Sequence, residues 1–343
     1  MEEKRLNVAV YGASGYAGLE LCTLLNRHPH IEKVIAVGGK SAGKNLSQVY
    51  PTLSDFPLVS TDEINLTELD CGFFCLPHGN QPGSSMVEVA AWCREGKPVI
   101  DLSGDYRLKS QQDYHHWYGH AHAYPQYLNH FVYGLPEVHA EAISQAIWIA
   151  NPGCYPTATT LGLAPLLSAA IPLSGVIVVD AKSGVSGAGR SPSLKSHFCE
   201  INENLVLYGT GTRHRHYPEI RQNLQGLTGN EFSLMFNVFL LPVQRGILAS
   251  IYVTFPEVLE AERLWELYAR YFAEKPFVKV LPLGDTATLR HVVNTNYCAL
   301  SLHLDRKHLL IVACIDNLLK GAAGQAIQNM NLSFGFKETE GLL

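Results

Sequence analysis

A short apolar run, residues 6–11, leads directly into Gly12-Ala13-Ser14-Gly15-Tyr16-Ala17-Gly18, and a helical pattern over residues 19–26 follows. Strand, glycine turn and helix in that order leave few folds open. Glycine lets the backbone turn tightly and come close to a bound group. The helix behind it offers unpaired N–H groups and the positive end of its dipole. The turn therefore reads as a cradle for a dinucleotide pyrophosphate, formed by Gly12, Ser14, Gly15, Tyr16, Ala17 and Gly18. Its spacing is G-x-x-G-x-x-G rather than the commoner G-x-G-x-x-G.

A second strand, residues 34–37, comes where such a unit needs one. In NAD sites an acidic residue follows this strand and binds the ribose hydroxyls. Here the sequel is Gly38-Gly39-Lys40-Ser41-Ala42-Gly43-Lys44, with two lysines and a serine and no acid. Lys40 and Ser41 suit the 2′-phosphate of NADP instead. The alternation continues with a strand at 72–76, the turn Pro77-His78-Gly79-Asn80, a helix at 85–94 and a strand at 98–102. This α/β pattern predicts a doubly wound, Rossmann-type parallel sheet, in which loops at the strand ends carry the ligand chemistry. Pro77, His78 and the loop from Asp101 to Arg107 are then site candidates. Arg107 suits a phosphate or carboxylate. Residues 115–127 are rich in His and Tyr but lack ligand spacing for a metal, and read as an amphipathic loop or helix.

At 343 residues the chain has room for two domains. A 47% hydrophobic content with 17% charged residues describes a globular protein with ample core. The formal net charge is −5 and no basic run appears, which argues against nucleic acid or an anionic membrane as partner. The eight cysteines are scattered, and Met-Glu-Glu-Lys-Arg runs straight into a strand rather than a signal peptide. No apolar run reaches the roughly 18 residues of a membrane span. A cytoplasmic protein with reduced thiols is expected.

The centre of the chain reads Asn151-Pro152-Gly153-Cys154-Tyr155-Pro156-Thr157, and a helix is expected from there to about Pro165. Pro156 suits the first turn of a helix. Cys154 should stand at the helix start, where N–H groups and the dipole favour a thiolate and can hold an oxyanion. A small buried thiol is the competing reading. Beyond it, a strand at 176–180 feeds Ala181-Lys182-Ser183-Gly184-Val185-Ser186-Gly187-Ala188-Gly189-Arg190, a loop able to approach a ligand closely. Lys182, Ser183 and Arg190 add phosphate-binding chemistry. Then come His214, Arg215, His216 and, three residues later, Glu219. A histidine near a thiolate can act as its acid/base. Long strands at 232–241 and 247–255, a helix at 259–273 and a hairpin at 300–315 make this half α+β with an antiparallel or mixed sheet. The tail is expected to be helical from Asp316 or Asn317 as N-cap and to return to the nucleotide domain.

Together these residues resemble the N-acetyl-γ-glutamyl-phosphate reductases, a family related to aspartate-semialdehyde dehydrogenase. The resemblance covers essentially the whole chain. It rests on 12–18, 151–157, 182–190, 214–220 and 316–325. The family often carries Thr where this chain has Tyr217. The resemblance implies an NADPH-binding domain at 1–150 completed by 316–343, a catalytic and oligomerisation domain at 151–315, and a homodimer or homotetramer with a cleft shared by the two domains. It implies Cys154 as nucleophile, His216 in preference to His214 as acid/base, and Glu219 as the group that orients the imidazole. Asn151 would assist at the oxyanion. Ser183, Gly184 and Asn317 would join the cofactor site, and Arg107, Lys182 and Arg190 would hold the phosphate of a small acyl-phosphate substrate. The alternatives are a related acyl-phosphate reductase, acting on the aspartate analogue or on carrier-linked N-acetyl-aminoadipyl phosphate, and a non-catalytic NADP sensor on the same fold.

Overall fold

The computed structural model describes residues 5–51 and 56–343. Residues 1–4, on which the expectation of no signal peptide falls, lie outside the described residues. The chain forms two compact units, one of residues up to Gly153 together with Ala322–Leu343, the other of Cys154–Gly321.

The first unit runs β1 (Leu6–Tyr11), α1 (Tyr16–Leu25), β2 (Ile31–Val37), β3 (Leu58–Val59), β4 (Cys71–Phe74), α2 (Ser85–Arg94), β5 (Val99–Asp101), α3 (Gln111–Tyr118), β6 (Val132–Tyr133), α4 (Pro136–Ser144) and β7 (Trp148–Ala150), and closes with the C-terminal helix Ala323–Ser333. Its sheet has the order β3-β2-β1-β4-β5-β7-β6, with parallel pairings. β1 sits centrally and is covered on both faces, which is why it reads as an unbroken apolar run. Val8 and Val10 join a core with Leu21, Ile327 and Met330, while Ala9 and Tyr11 join another with Met86, Trp92 and Tyr114. After β1 the chain builds outward through β2 and β3, then restarts on the other side with β4. The glycine turn thus lies at the topological switch point, where sheets of this type open a crevice.

The second unit runs α5 (Cys154–Ser168), β8 (Ser174–Ser183), α6 (Phe198–Ile201), β9 (Val206–Gly209), α7 (Tyr217–Thr228), β10 (Ser233–Leu240), β11 (Ile247–Thr254), α8 (Ala261–Tyr271), β12 (Val278–Val280), β13 (Cys298–Asp305) and β14 (His308–Ile315). Its mixed sheet has the order β12-β13-β14-β11-β8-β10-β9. β8 pairs with β10 and β12 with β13 in parallel, and the other pairings are antiparallel. α5 is buried from Tyr155 through Leu167 and packs on β11 and β14. Gly162 makes the approach possible, since a Cβ there would lie 2.5 Å from Ile251 Cδ1. Ile251 pairs with Val179, so Ile177, Val179, Ala181 and Ser183 of β8 face α5. Val176, Val178, Asp180 and Lys182 face the other way, where Val176, Met235 and Tyr252 are exposed.

Three expectations need correction. α5 does not stop near Pro165 but continues through it to Ser168. Packing of its whole circumference outweighs the one intrahelical bond that Pro165 cannot donate. β8 does not end at Asp180 but runs to Ser183, because Phe239 and Leu240 of β10 continue the ladder beside Lys182 and Ser183. The tail helix starts at Ala323 rather than just after Asp316. Asp316 instead caps a tight turn. Its Oδ1 accepts from Leu318 N and Leu319 N, and Gly321 N–H donates to Asp316 C=O five residues back. Ala322 (φ −157°, ψ −90°) then leaves helical space before the helix begins.

Tyr268 is fully buried and donates its hydroxyl to Gly162 C=O at 2.7 Å. Tyr268→Phe is expected to lower the stability to urea unfolding by about 1 kcal/mol, since it removes a buried hydrogen bond. An unchanged midpoint would show that this tie is dispensable.

Candidate active site

In the first unit the glycine turn matches its sequence reading in detail. Gly12 has φ +73°, and a Cβ there would lie 2.4 Å from Cys75 O. A Cβ at Gly18 would lie 2.3 Å from Gly12 O. Gly15 is the N-cap of α1 and donates its N–H to Gly12 C=O. The α1 N-terminus therefore faces the crevice with little side-chain cover from Gly15, flanked by Ser14, Tyr16 and Ala17. Lys40 and Ser41 form a single turn at the end of β2, with Lys40 exposed. A pyrophosphate at the turn and a 2′-phosphate at Lys40 and Ser41 both fit these donors, and residues 38–44 carry no acid of their own. Pro77 and His78 form the exposed loop after β4, and His78 packs edge-on against Tyr118.

Two candidates of this unit are more firmly tied than their expected roles require. Arg107 is buried, donating Nε to Asn151 C=O at 2.8 Å and Nη2 to Leu102 C=O at 2.7 Å. Asn151 is fully buried, with Nδ2 donating to Ala322 C=O and Oδ1 accepting from Asn329 Nδ2 at 2.9 Å. Its amide is committed to joining the end of β7 to the C-terminal helix. Both ends of the carboxamide are thus engaged in holding this junction.

In the second unit Cys154 is the first residue of α5. The next residue, Tyr155, organises the surroundings. Its ring stands edge-on to His214 (5.7 Å), His216 (5.9 Å) and Phe236 (5.7 Å). Its hydroxyl shares a 2.7 Å bond with that of Tyr208 and is also bonded to Ser183. Tyr208 is exposed at its ring but turns its hydroxyl inward. Burial pushes that hydroxyl up to about 12, with the charge of Cys154 adding to the effect. The two histidine rings lie 5.0 Å apart and differ in role. His214 Nδ1 accepts the backbone N–H of His216 at 3.1 Å, which assigns its proton to Nε2. Burial, with Arg215 beside it, lowers His214 to about 4, so it stays neutral. His216 occupies the N-cap position of α7, with Glu219 buried in the first turn.

The remaining candidates separate. Ser183 faces α5 and bonds Tyr155. Gly184 lies against the backbone of Arg245, where a Cβ would fall 2.8 Å from Arg245 N. Asn317 is buried, accepting from Gly246 N and donating to Ser186 Oγ, and so secures the loop rather than presenting its amide. Arg190 is exposed. Lys182 does not join Tyr155 and the histidines. It lies on the opposite face of the sheet, donating to Asp180 C=O and Ser250 Oγ, because strand alternation sends it away from Ser183. Among the described residues no group of three or more His, Cys, Asp or Glu side chains is placed to hold a metal ion. No described helix is long and apolar enough to cross a membrane.

Comparison with known proteins fits this arrangement. The family model of the semialdehyde dehydrogenase NAD binding domain matches residues 7–146, and that of the semialdehyde dehydrogenase dimerisation domain matches residues 154–317. N-acetyl-gamma-glutamyl-phosphate reductase of Desulforudis audaxviator is 45% identical, with 98% of each chain covered. The chain belongs to this reductase family. The enzyme of the same name from Pelobacter propionicus is 44% identical, again over 98% of each chain. Among solved structures, aspartate semialdehyde dehydrogenase II of Vibrio cholerae complexed with ASA has a TM-score of 0.74 at 18% identity, covering 97% of this chain and 99% of that one. Aspartate semialdehyde dehydrogenase with NADP from Candida albicans has a TM-score of 0.71 at 16% identity, covering 96% and 98%. At these identities the likeness to solved structures concerns the fold.

Sequence reasoning passed over Tyr155 and Tyr208, and read Gly321 only as one of several small residues that allow close packing. Tyr155 adjoins the cysteine and could have been singled out, whereas Tyr208 arrives through strand pairing alone. Gly321 is required by contact, since a Cβ there would lie 2.8 Å from Cys154 Cβ and 2.7 Å from Asn317 O. Gly321→Ala is expected to cost about 1–3 kcal/mol of stability by overpacking. It is also expected to change the iodoacetamide alkylation rate of Cys154, followed peptide by peptide in a mass spectrometer. An unaltered Cys154 rate would refute the contact's importance.

Proposed function

We propose that this enzyme reduces N-acetyl-γ-glutamyl phosphate to N-acetyl-glutamate 5-semialdehyde and phosphate, with NADPH as reductant, in arginine biosynthesis. The observation that carries the reading is the placement of Cys154 at the N-terminus of α5, in the unit that also holds the Tyr155-flanked histidine pair. The Cys154 thiolate attacks the acyl carbon, and the tetrahedral oxyanion rests on N–H groups of the first turn of α5. The carbon–oxygen bond to phosphate breaks, phosphate departs beside Arg190, and a thioester remains on Sγ. NADPH, when bound at the glycine turn with its 2′-phosphate at Lys40 and Ser41, supplies the hydride that reduces this thioester. His216 protonates the oxygen that becomes negative, and Glu219 orients its ring. As the carbon–sulfur bond breaks, His216 takes the same proton back from that oxygen, so the neutral aldehyde leaves and the thiolate is restored. His214 is the structural partner, neutral and spent on the His216 N–H. Arg107 and Asn151 shape the chain ahead of Pro152-Gly153 rather than touching substrate.

Support for an oligomer comes from the second unit's sheet. Its face away from α5 exposes Val176, Met235 and Tyr252, and its family model is described as a dimerisation domain. A second copy covering that face, as a homodimer or within a homotetramer, would bury Lys182 with them. A cytoplasmic setting suits the eight scattered cysteines.

The deciding assay is NADP⁺ reduction with N-acetyl-glutamate semialdehyde and phosphate, run against aspartate semialdehyde. Equal or greater efficiency with the aspartate substrate would overturn the assignment. Cys154→Ser is expected to lower kcat by about a thousandfold or more. With acyl phosphate and no NADPH, wild type should release phosphate and leave an acyl group on Cys154. His214→Asn should leave the pH profile of kcat between pH 5 and 8 in place, because a group lowered to about 4 does not titrate there. His216→Asn should lower kcat by about a hundredfold or more. The reverse outcome would exchange the two roles.

A further inference from the structure

The loop after β4 is held by a buried carboxylate, Asp105, to which the mechanism above gives no role. Asp105 is fully buried and receives Gly79 N–H on both oxygens, at 3.2 Å and 3.1 Å. Tyr114 donates its hydroxyl to the same group at 2.6 Å, and the backbone of Met86, in the first turn of α2, bonds to it as well. Gly79 (φ +127°) also accepts from Ser84 Oγ, and Pro77 C=O accepts from Ser85 N at 2.9 Å. The exposed Pro77-His78 segment is thus pinned at its far end through one peptide. Asp105 keeps its own place because its N–H donates to Ser103 Oγ at 3.1 Å, while Ser103 and Ser85 both bond Asp101. Burial, with Asp101 close by, pushes the Asp105 carboxyl up to about 7. A carboxylate held in such surroundings is costly to the fold and needs every one of its donors. A surface salt bridge would hold a loop at far less expense. This arrangement stands at the carboxyl ends of β4 and β5, beside the switch point where the nucleotide crevice opens.

We infer that Asp105 is a positioning residue for cofactor binding, setting the Pro77–Asn80 loop through the Gly79 N–H so that the loop is pre-formed against the bound NADPH. The inference rests on the NADPH-dependent reading above. It does not make Asp105 a catalytic residue, since the carboxylate touches backbone and Tyr114 rather than reacting atoms. Asparagine in its place turns one acceptor into a donor facing the Gly79 and Met86 N–H groups, and so releases the loop while nearly keeping the volume.

The test is NADPH affinity of the full-length enzyme, read by nicotinamide fluorescence, alongside steady-state kinetics. Asp105→Asn is expected to raise both the Kd and the KM for NADPH about tenfold, with kcat within about twofold. Tyr114→Phe keeps the Gly79 bond and its stacking on Tyr118, and should leave Kd within about twofold. Ser84→Ala removes the second tie and should raise Kd about threefold. It decides the matter if Asp105→Asn does not fold, because an unchanged Kd there would overturn the inference. So would an Asp105→Asn enzyme that binds NADPH like wild type, or one that loses kcat with Kd unaltered. Wild-type protein that binds no NADPH would instead overturn the proposed function and this inference with it.

Discussion

In a parallel sheet every strand points the same way, so the carboxyl ends of all of them line one rim. Much of the first unit follows from that constraint. The glycine turn after β1, the Lys40-Ser41 turn after β2, the Pro77–Asn80 loop after β4, the Asp101–Arg107 loop after β5 and Asn151 after β7 are all rim segments. Because the strands are covered on both faces, a rim loop can be tied down by buried polar groups as well as by apolar packing. Asp101, Asp105, Arg107 and Asn151 are four such groups, each fully or nearly buried and each bonded to backbone, hydroxyl or amide partners. The rim is thereby stiffened from below, and short exposed residues such as His78 remain at its upper edge.

The second unit solves a different problem. A helix that carries a reactive residue on its first turn must have that turn held in place. α5 achieves this by being buried around its circumference, at the cost of a flat apolar helix with no polar face. Gly162 lets it approach β11, Tyr268 anchors its middle, and Gly321 lets the 316–321 turn close against Cys154. The aromatic wall of Tyr155, Tyr208 and Phe236 then divides the histidines into one that is neutral and bonded to backbone and one at the start of α7.

Local chemistry made several features readable in advance. Gly12 and Gly18 need no knowledge of the rest of the chain, because a tight turn between strand and helix excludes side chains there. The Pro-Gly-Cys-Tyr-Pro run marks a helix start on its own. The errors share one cause. Pro165 and Asp316 were both judged by their immediate neighbours, and in both cases partners distant in sequence decided. Packing carried α5 through Pro165, while Arg245 and Asn294 hold the Asp316 carboxylate at the head of a separate turn.

Lys182 marks the boundary between what the sequence by itself determined and what the tertiary structure decided. The sequence determined that a strand would lead into a glycine-rich loop near residues 180–190, that a nucleotide turn would follow β1, and that Cys154 would open a helix, because each depends on propensities and contacts within a few residues. It could not determine which face of β8 would meet α5. Side chains on a strand alternate, so one residue of register separates Ser183, bonded to Tyr155, from Lys182 on the open face of the sheet. That register is set by pairing with β10 and β11, fifty and more residues away, and by the need to bury Val179 and Ile251 beneath Gly162.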